Sequence, residues 1–297
     1  MSKKKLPPEI KAFDDMDYEK QGNKKTKSTR TNRIISNILI VVFASTFLYS
    51  AYKLYSANQN YVEEAKFNEQ IKDAGFRPDF DFDLTTDSIT DPTPAPTEDE
   101  TPLPTDDKGK VVRNPSIVRA KREITEDFVG WLVIPNTKID YAFMQGADNE
   151  KYLRTSIYGT YLFAGSLFLD YRCANDFSNF NSIIYGHSMN NGSMFGQLKN
   201  FKNANFFNNN PYGKLAISSA TYTLEIFAYI DIPADDDIIY GTIYGYSNSA
   251  TTFLEYVKTN ARHYRELNLT ENDHILTLST CGYDFDGHRI VVLARIV

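Results

Sequence analysis

The sequence predicts a mainly β fold, a small closed β-barrel built from the C-terminal part of a 297-residue chain. Three observations carry that expectation. From about Asn114 onward, short apolar stretches recur, each bounded by Gly, Pro, Asn or Asp, as strands of a compact all-β domain are. Only one or two stretches have helical character, and no internal repeat points to a stacked-unit architecture. Many short strands with few helices close most economically into a barrel, which leaves no open edge.

In order, residues 116–127 read as a short helix, and 129–134 and 139–144 as strands joined around Pro135-Asn136. Further strands are expected over 165–170 and 182–185, and a hairpin pair over 214–218 and 221–231. The long connection 232–272 carries a helical stretch at 250–267. The chain ends on two strands. In Ile275-Leu-Thr-Leu-Ser-Thr-Cys281, residues Ile275, Thr277, Ser279 and Cys281 share one face by the period of two, with Leu276 and Leu278 on the other. Asp286-Gly287 then gives a hairpin-type turn signal before Arg289 and the Ile/Val-rich run 290–297.

The region ahead of the barrel divides by composition. Residues 1–33 are basic and polar, with Pro7-Pro8, and read as a disordered cytoplasmic tail. Residues 34–55 form an apolar run with no charge before Lys53, long enough to cross a bilayer as a helix. Tyr49, Tyr52 and Tyr55 suit an interfacial belt, and Lys53 can snorkel. The run exceeds a signal-peptide core and lacks a small-x-small cleavage site, so an uncleaved single-pass anchor is expected. Its basic flank puts the N-terminus inside and the barrel outside the cell. Residues 56–78 read as a helical stalk. Residues 79–115 read as an extended linker, because 79–107 holds ten acidic residues, no Lys or Arg, and Pro92, Pro94, Pro96, Pro102 and Pro104. The globular domain is then 116–297.

Net charge is −6, which gives no general case for nucleic-acid binding. Two cysteines, Cys173 and Cys281, make neither a disulfide framework nor a zinc site. Cys173 reads as a small, partly buried residue. Asp235-Asp-Asp237 has no recognisable calcium-ligand spacing and reads as a solvated loop.

Cys281, a histidine and Arg289 together can run acyl transfer. A thiolate is the nucleophile, so a partner must take or share the thiol proton. Histidine titrates near neutrality and suits that part. A guanidinium, always charged, can hold a developing oxyanion or a substrate backbone. Four histidines are available. His263 and His274 have no motif around them and read as surface residues. His288 is near Cys281 in sequence but reads as an exposed turn residue. His187 follows an apolar strand and opens a loop, Ser188-Met-Asn-Asn-Gly-Ser-Met-Phe-Gly196. Position alone leaves His187 and His288 both open.

Several motifs resemble those of sortases: Thr277-Leu-Ser-Thr-Cys281 with Arg289, and Tyr185-Gly-His187 with Gly192-Ser-Met-Phe-Gly196. Gly130-Trp-Leu-Val-Ile134, Ile139-Asp-Tyr141, Gln145, Asp148-Asn149, Tyr152-Leu153 and Gly165-Ser-Leu-Phe-Leu-Asp-Tyr-Arg172 resemble class B sortases in particular. The resemblance spans roughly residues 116–297. It implies a barrel of about eight strands, with helices added at its N-terminus and between the late strands. It implies a cysteine transpeptidase with His187, Cys281 and Arg289 catalytic, and Ser279, Tyr185, Asn149 and Leu153 along the substrate groove. No cofactor or metal is implied. The implied partners are surface proteins bearing a C-terminal sorting motif, cut after threonine, and an amine of the peptidoglycan cross-bridge or its lipid-linked precursor. Ordinary core packing is the competing reading for Leu153 and Tyr185. The sequence departs from the family in two places. Ala142-Phe143 stands where many class B members carry Pro-Val, and the Cys281-to-Arg289 spacing is shorter than in some relatives. Two rival functions use the same features: a secreted cysteine peptidase or amidase that only hydrolyses, and a non-catalytic tethered binding barrel.

Overall fold

Strand pairing, more than helix packing, decides where every site residue lies. This computed structural model describes residues 18–80, 105, 109, 111–241, 249–281 and 287–297. Its strands are β1 (Phe128–Val133), β2 (Asp140–Met144), β3 (Leu167–Leu169), β4 (Asn181–Tyr185), β5 (Tyr212–Ile217), β6 (Ala220–Pro233), β7 (His263–Tyr264), β8 (His274–Cys281) and β9 (His288–Ile296). The order is β5-β1-β2-β3-β4-β8-β9-β6-β7, and a further β5–β6 pairing joins the ends. Eight strands therefore close, and two-residue β7 hangs on the outside of β6. Closure removes the exposed edges that an open sheet of this size would present.

The strands expected from sequence are all present, with ends shifted by at most two residues. Leu132, Phe143, Leu167, Ile184, Leu276, Leu278 and Val292 fill the barrel interior. The outer face is covered too. Helix α2 (Pro115–Glu123) buries Ile117 and Ala120 against Phe128, Trp131 and Ala216. Helices α3 (Ala204–Asn209), α4 (Asp237–Gly241) and α5 (Ser249–Asn260) follow, and α4 and α5 bury Ile239, Phe253 and Val257 against Phe227, Ile230 and Val291. Strands covered on both faces lose the apolar–polar alternation, which is why β1 is buried at every position. Helix α5 is shorter than the expected 250–267, because the chain after Asn260 pairs as β7.

Helix α1 runs Tyr18–Asp73 and so begins inside the segment read as a disordered tail. Lys, Arg and Gln of that segment are good helix formers and prolong the apolar helix N-terminally. The chain divides into two compact units, Met1–Gln59 and Asn60–Val297. In the first, Ile38, Leu39, Phe43, Phe47 and Leu48 are exposed. Residues Arg30–Asp73 contain one stretch long and apolar enough to cross a membrane by length and composition. The second unit includes residues ahead of the expected linker: Ile71 and Phe76 join the core beneath α2. Arg77 Nε and Trp131 Nε1 both donate to Asp140 Oδ1 at 2.8 Å, and Lys72 Nζ lies 3.1 Å from Asp140 Oδ2. Most of the linker expected at 79–115 lies outside the described residues.

Candidate active site

The C-terminal ends of β4 and β8 and the start of β9 meet at one mouth of the barrel. β4 and β8 are parallel, with Tyr185 opposite Ser279. His187 and Cys281 each lie two residues beyond that pair, so the register carries them to the same level of adjacent strands. β8 and β9 are antiparallel, with Cys281 directly opposite Arg289. The short Cys281-to-Arg289 spacing therefore gives a hairpin in which the two residues are cross-strand partners in the backbone register. Residues 282–286, the expected hairpin turn, lie outside the described residues.

A cleft of about 380 Å³ opens at this mouth. His187, Arg289, Ser279, Tyr185, Asn149 and Leu153 all line it. Leu153 is 39% exposed, which sets it apart from a core leucine. Tyr185 is half-buried, packed at 5.4 Å against Phe168, and also faces the cleft.

His187 follows Gly186, whose backbone is pressed against the core. A Cβ there would stand 2.4 Å from Leu167 Cδ2 and 2.8 Å from Phe195 Cδ2, so the backbone can come this close to the core only with glycine. The Gly186 carbonyl accepts from Thr280 Oγ1 at 2.6 Å, tying the end of β4 to β8. His187 Nε2 lies 2.7 Å from the Leu153 carbonyl oxygen. A carbonyl only accepts, so Nε2 carries the hydrogen and Nδ1 is left as the ring's acceptor. Burial pushes the His187 pKa below its ordinary value, against the Leu153 hydrogen bond, with nearby Arg154 adding to the depression.

Behind the cleft sits a buried carboxylate, Asp170. Its oxygens accept from Arg172 Nε at 2.8 Å, Arg172 Nη2 at 2.6 Å, Asn149 Nδ2 at 2.9 Å and Tyr185 OH at 3.1 Å. Burial by itself raises this carboxyl; the Arg172 guanidinium and backbone N–H and the Asn149 amide outweigh it and hold the group below the usual carboxylate range. Three cleft residues thus share one anchor.

Sequence reasoning missed Tyr240, Arg172, Phe168, Gly186, Thr280 and Ala234, all of which line the cleft. Tyr240 stacks with Tyr185 at 6.3 Å and its hydroxyl lies 2.8 Å from Ser279 Oγ. It comes from α4, in the long connection where no periodicity singled it out. Arg172 closed the motif 165–172, a signal that was visible but unassigned.

The expectation that His288 is an exposed turn residue is corrected. It is 2% exposed, and its Nε2 donates to Asp231 Oδ1 at 2.8 Å. Strand alternation puts it on the opposite face from Arg289, away from the cleft. Asp236, expected in a solvated loop, instead caps α4 by accepting from Ile238 N and Ile239 N at 3.1 and 2.8 Å. Cys173 is buried, and burial pushes its thiol up to about 11, which disfavours the thiolate.

The sequence and the closed barrel match known proteins. The family model described as Sortase domain matches residues 132–297. Sortase B of Listeria monocytogenes is 34% identical over 182 residues, which covers 61% of this chain and 74% of the relative. A Streptococcus pyogenes class B sortase involved in pilus biogenesis superposes with a TM-score of 0.57 at 33% identity, over 61% of this chain and 97% of that one. Bacillus anthracis sortase B, solved in complex with AAEK1, superposes with a TM-score of 0.60 at 26% identity, over 80% of this chain and 98% of that one.

The chain belongs to the sortase family, whose members are cysteine transpeptidases. Within the family its relatives place it in class B.

Proposed function

We propose that this chain is a membrane-anchored class B sortase that cuts a C-terminal sorting motif of surface proteins after threonine and joins the new end to a peptidoglycan amine. The observation that supports it most is the pair of registers, Tyr185 opposite Ser279 and Cys281 opposite Arg289. These registers support one cleft mouth shared by Cys281, by Arg289 close to it in sequence, and by His187 far upstream.

In this reading the Cys281 thiolate attacks the threonyl carbonyl carbon. Arg289 stabilises the oxyanion or holds the motif's backbone. Collapse breaks the scissile C–N bond, and His187 in its imidazolium form gives its proton to the departing amine. A thioester remains on Cys281. The cross-bridge or lipid-linked amine attacks it, His187 takes the amine's proton, and the thiolate leaves. The likeness to sortases implies that only a fraction of molecules holds the thiolate–imidazolium pair at any moment. Ser279, Tyr185, Asn149 and Leu153 line the groove that receives the motif. The apolar helix anchors the enzyme, with a cytoplasmic N-terminus and an extracellular barrel.

The test uses the full chain in detergent, incubated with threonine-containing pentapeptides and a cross-bridge peptide or hydroxylamine. A thioester on Cys281 by mass spectrometry and an amine adduct as product are expected. Formation of acid alone would make the enzyme a hydrolase. Unchanged function with Cys281→Ala would make it a binding module.

A further inference from the structure

The part of α1 that lies in the barrel's own unit turns one face inward. Glu64, Phe67, Asn68 and Ile71 follow helical spacing and are buried or half-buried, whereas Val62, Glu63, Ala65 and Lys66 are exposed. A carboxyl in an inward stripe is costly unless it is paired. Glu64 is only 4% exposed, and burial pushes its pKa up.

Its partners are specific. Glu64 lines one small cavity with Tyr141 on β2 and Met194, where its carboxyl interacts with the Tyr141 hydroxyl, while the Ser193 hydroxyl donates to Asn191 Oδ1 at 2.9 Å. The Tyr141 hydroxyl also accepts from the Met194 backbone N–H at 3.2 Å. Ser193 and Met194 belong to the loop that begins at His187. Within that loop Ser188 bridges Met194, and Phe195 N–H donates to the His187 carbonyl at 3.0 Å. A short chain of contacts therefore runs from the stalk helix, through Tyr141 and its hydrogen bond to Met194, to the backbone of His187.

We propose that Glu64 is a positioning residue for His187, and that the stalk segment is a working part of the active site as well as a spacer. The proposal rests on His187 being the acid–base residue. Glu64 does not touch substrate. It fixes the loop whose first residue must meet both a thiolate and an incoming amine, and small displacements of such a group cost rate steeply.

The test measures amine transfer by the full chain in detergent at a temperature where every variant is folded by circular dichroism. Glu64→Ala and Tyr141→Phe should each lower kcat by about tenfold with KM changed less than about twofold. Glu64→Gln, which keeps an acceptor oxygen, should recover most of the loss. The double variant Glu64→Ala/Tyr141→Phe should be no slower than the worse single, since both cut one chain. Wild-type kcat in folded Glu64→Ala and Tyr141→Phe would overturn the proposal, as would strictly additive losses. If Glu64→Ala does not fold, Tyr141→Phe, which removes one oxygen, decides alone. Failure of the underlying reading shows up separately, as wild-type protein that makes no thioester or as His187→Ala protein at full rate.

Discussion

The imidazole of His187 is held by the carbonyl of Leu153, 2.7 Å from Nε2, at the wall of the cleft that Leu153 itself lines. One loop thus fixes the ring's tautomer and shapes the groove. Burial makes the folded protein bind the ring's proton less tightly than the unfolded chain does. The stability that neutral His187 contributes is therefore present above its ordinary value of 6.5 and lost as pH falls through the lower folded value. A titration of the His187 ring by NMR should give a midpoint below 6.5. The difference in stability between wild type and His187→Gln should shrink on acidification through that midpoint. A midpoint above 6.5 would contradict the burial argument.

His187 and His288 should fail in different ways. His187→Ala is expected to lower kcat/KM by about 100-fold or more, with a small change in stability. His288→Ala removes a buried donor to Asp231 and should cost about 1–3 kcal/mol of stability while leaving the rate per folded molecule nearly intact. Urea denaturation alongside steady-state kinetics separates the two. The reverse pattern would make His288 the base.

Asp170 anchors Asn149, Arg172 and Tyr185 together. In Asp170→Asn an amide faces the Arg172 guanidinium, two donors meeting where a carboxylate accepted. The variant should lose about 3 kcal/mol of stability, and KM for the sorting peptide should rise more than kcat falls. Tyr185→Phe, which removes only the hydroxyl, should show a milder rise in KM at nearly wild-type stability. An unchanged KM in both variants would show that the carboxylate does not organise the groove.

Gly186→Ala is the smallest change that should move His187. The added carbon meets Leu167 and the buried Phe195 ring, so the backbone must shift. A displacement near 1 Å of an acid–base group costs about 100-fold in rate. The expected result is a large loss of kcat in a folded protein whose Cys281 still reacts with iodoacetamide. Wild-type kcat would mean that the core yields instead.

Much of the barrel was legible because its strands announce themselves locally. Ile275–Cys281 shows the period of two, and Asp286-Gly287 marks a turn, so Cys281 and Arg289 could be brought together from sequence. The stalk's packing was not legible. Glu64 and Asn68 occupy inward positions that read as polar surface, and only the packing of the helix on the barrel reveals them. His288 was misread for a related reason: a histidine beside a turn is ordinarily exposed, and its burial depends on Asp231, which lies on β6.

The amino-acid order by itself determined the apolar helix, the strand content and the neighbourhood of Cys281 and Arg289, because periodicity and turn chemistry act over a few residues. Only the tertiary structure decided which histidine shares the cleft, how Tyr240 reaches Ser279, and what Asp170 holds in place. Those relations come from pairing β4 with β8 across some ninety intervening residues and from closing β5 on β6. Register between distant strands is set by the fit of a whole core, and no local pattern encodes it.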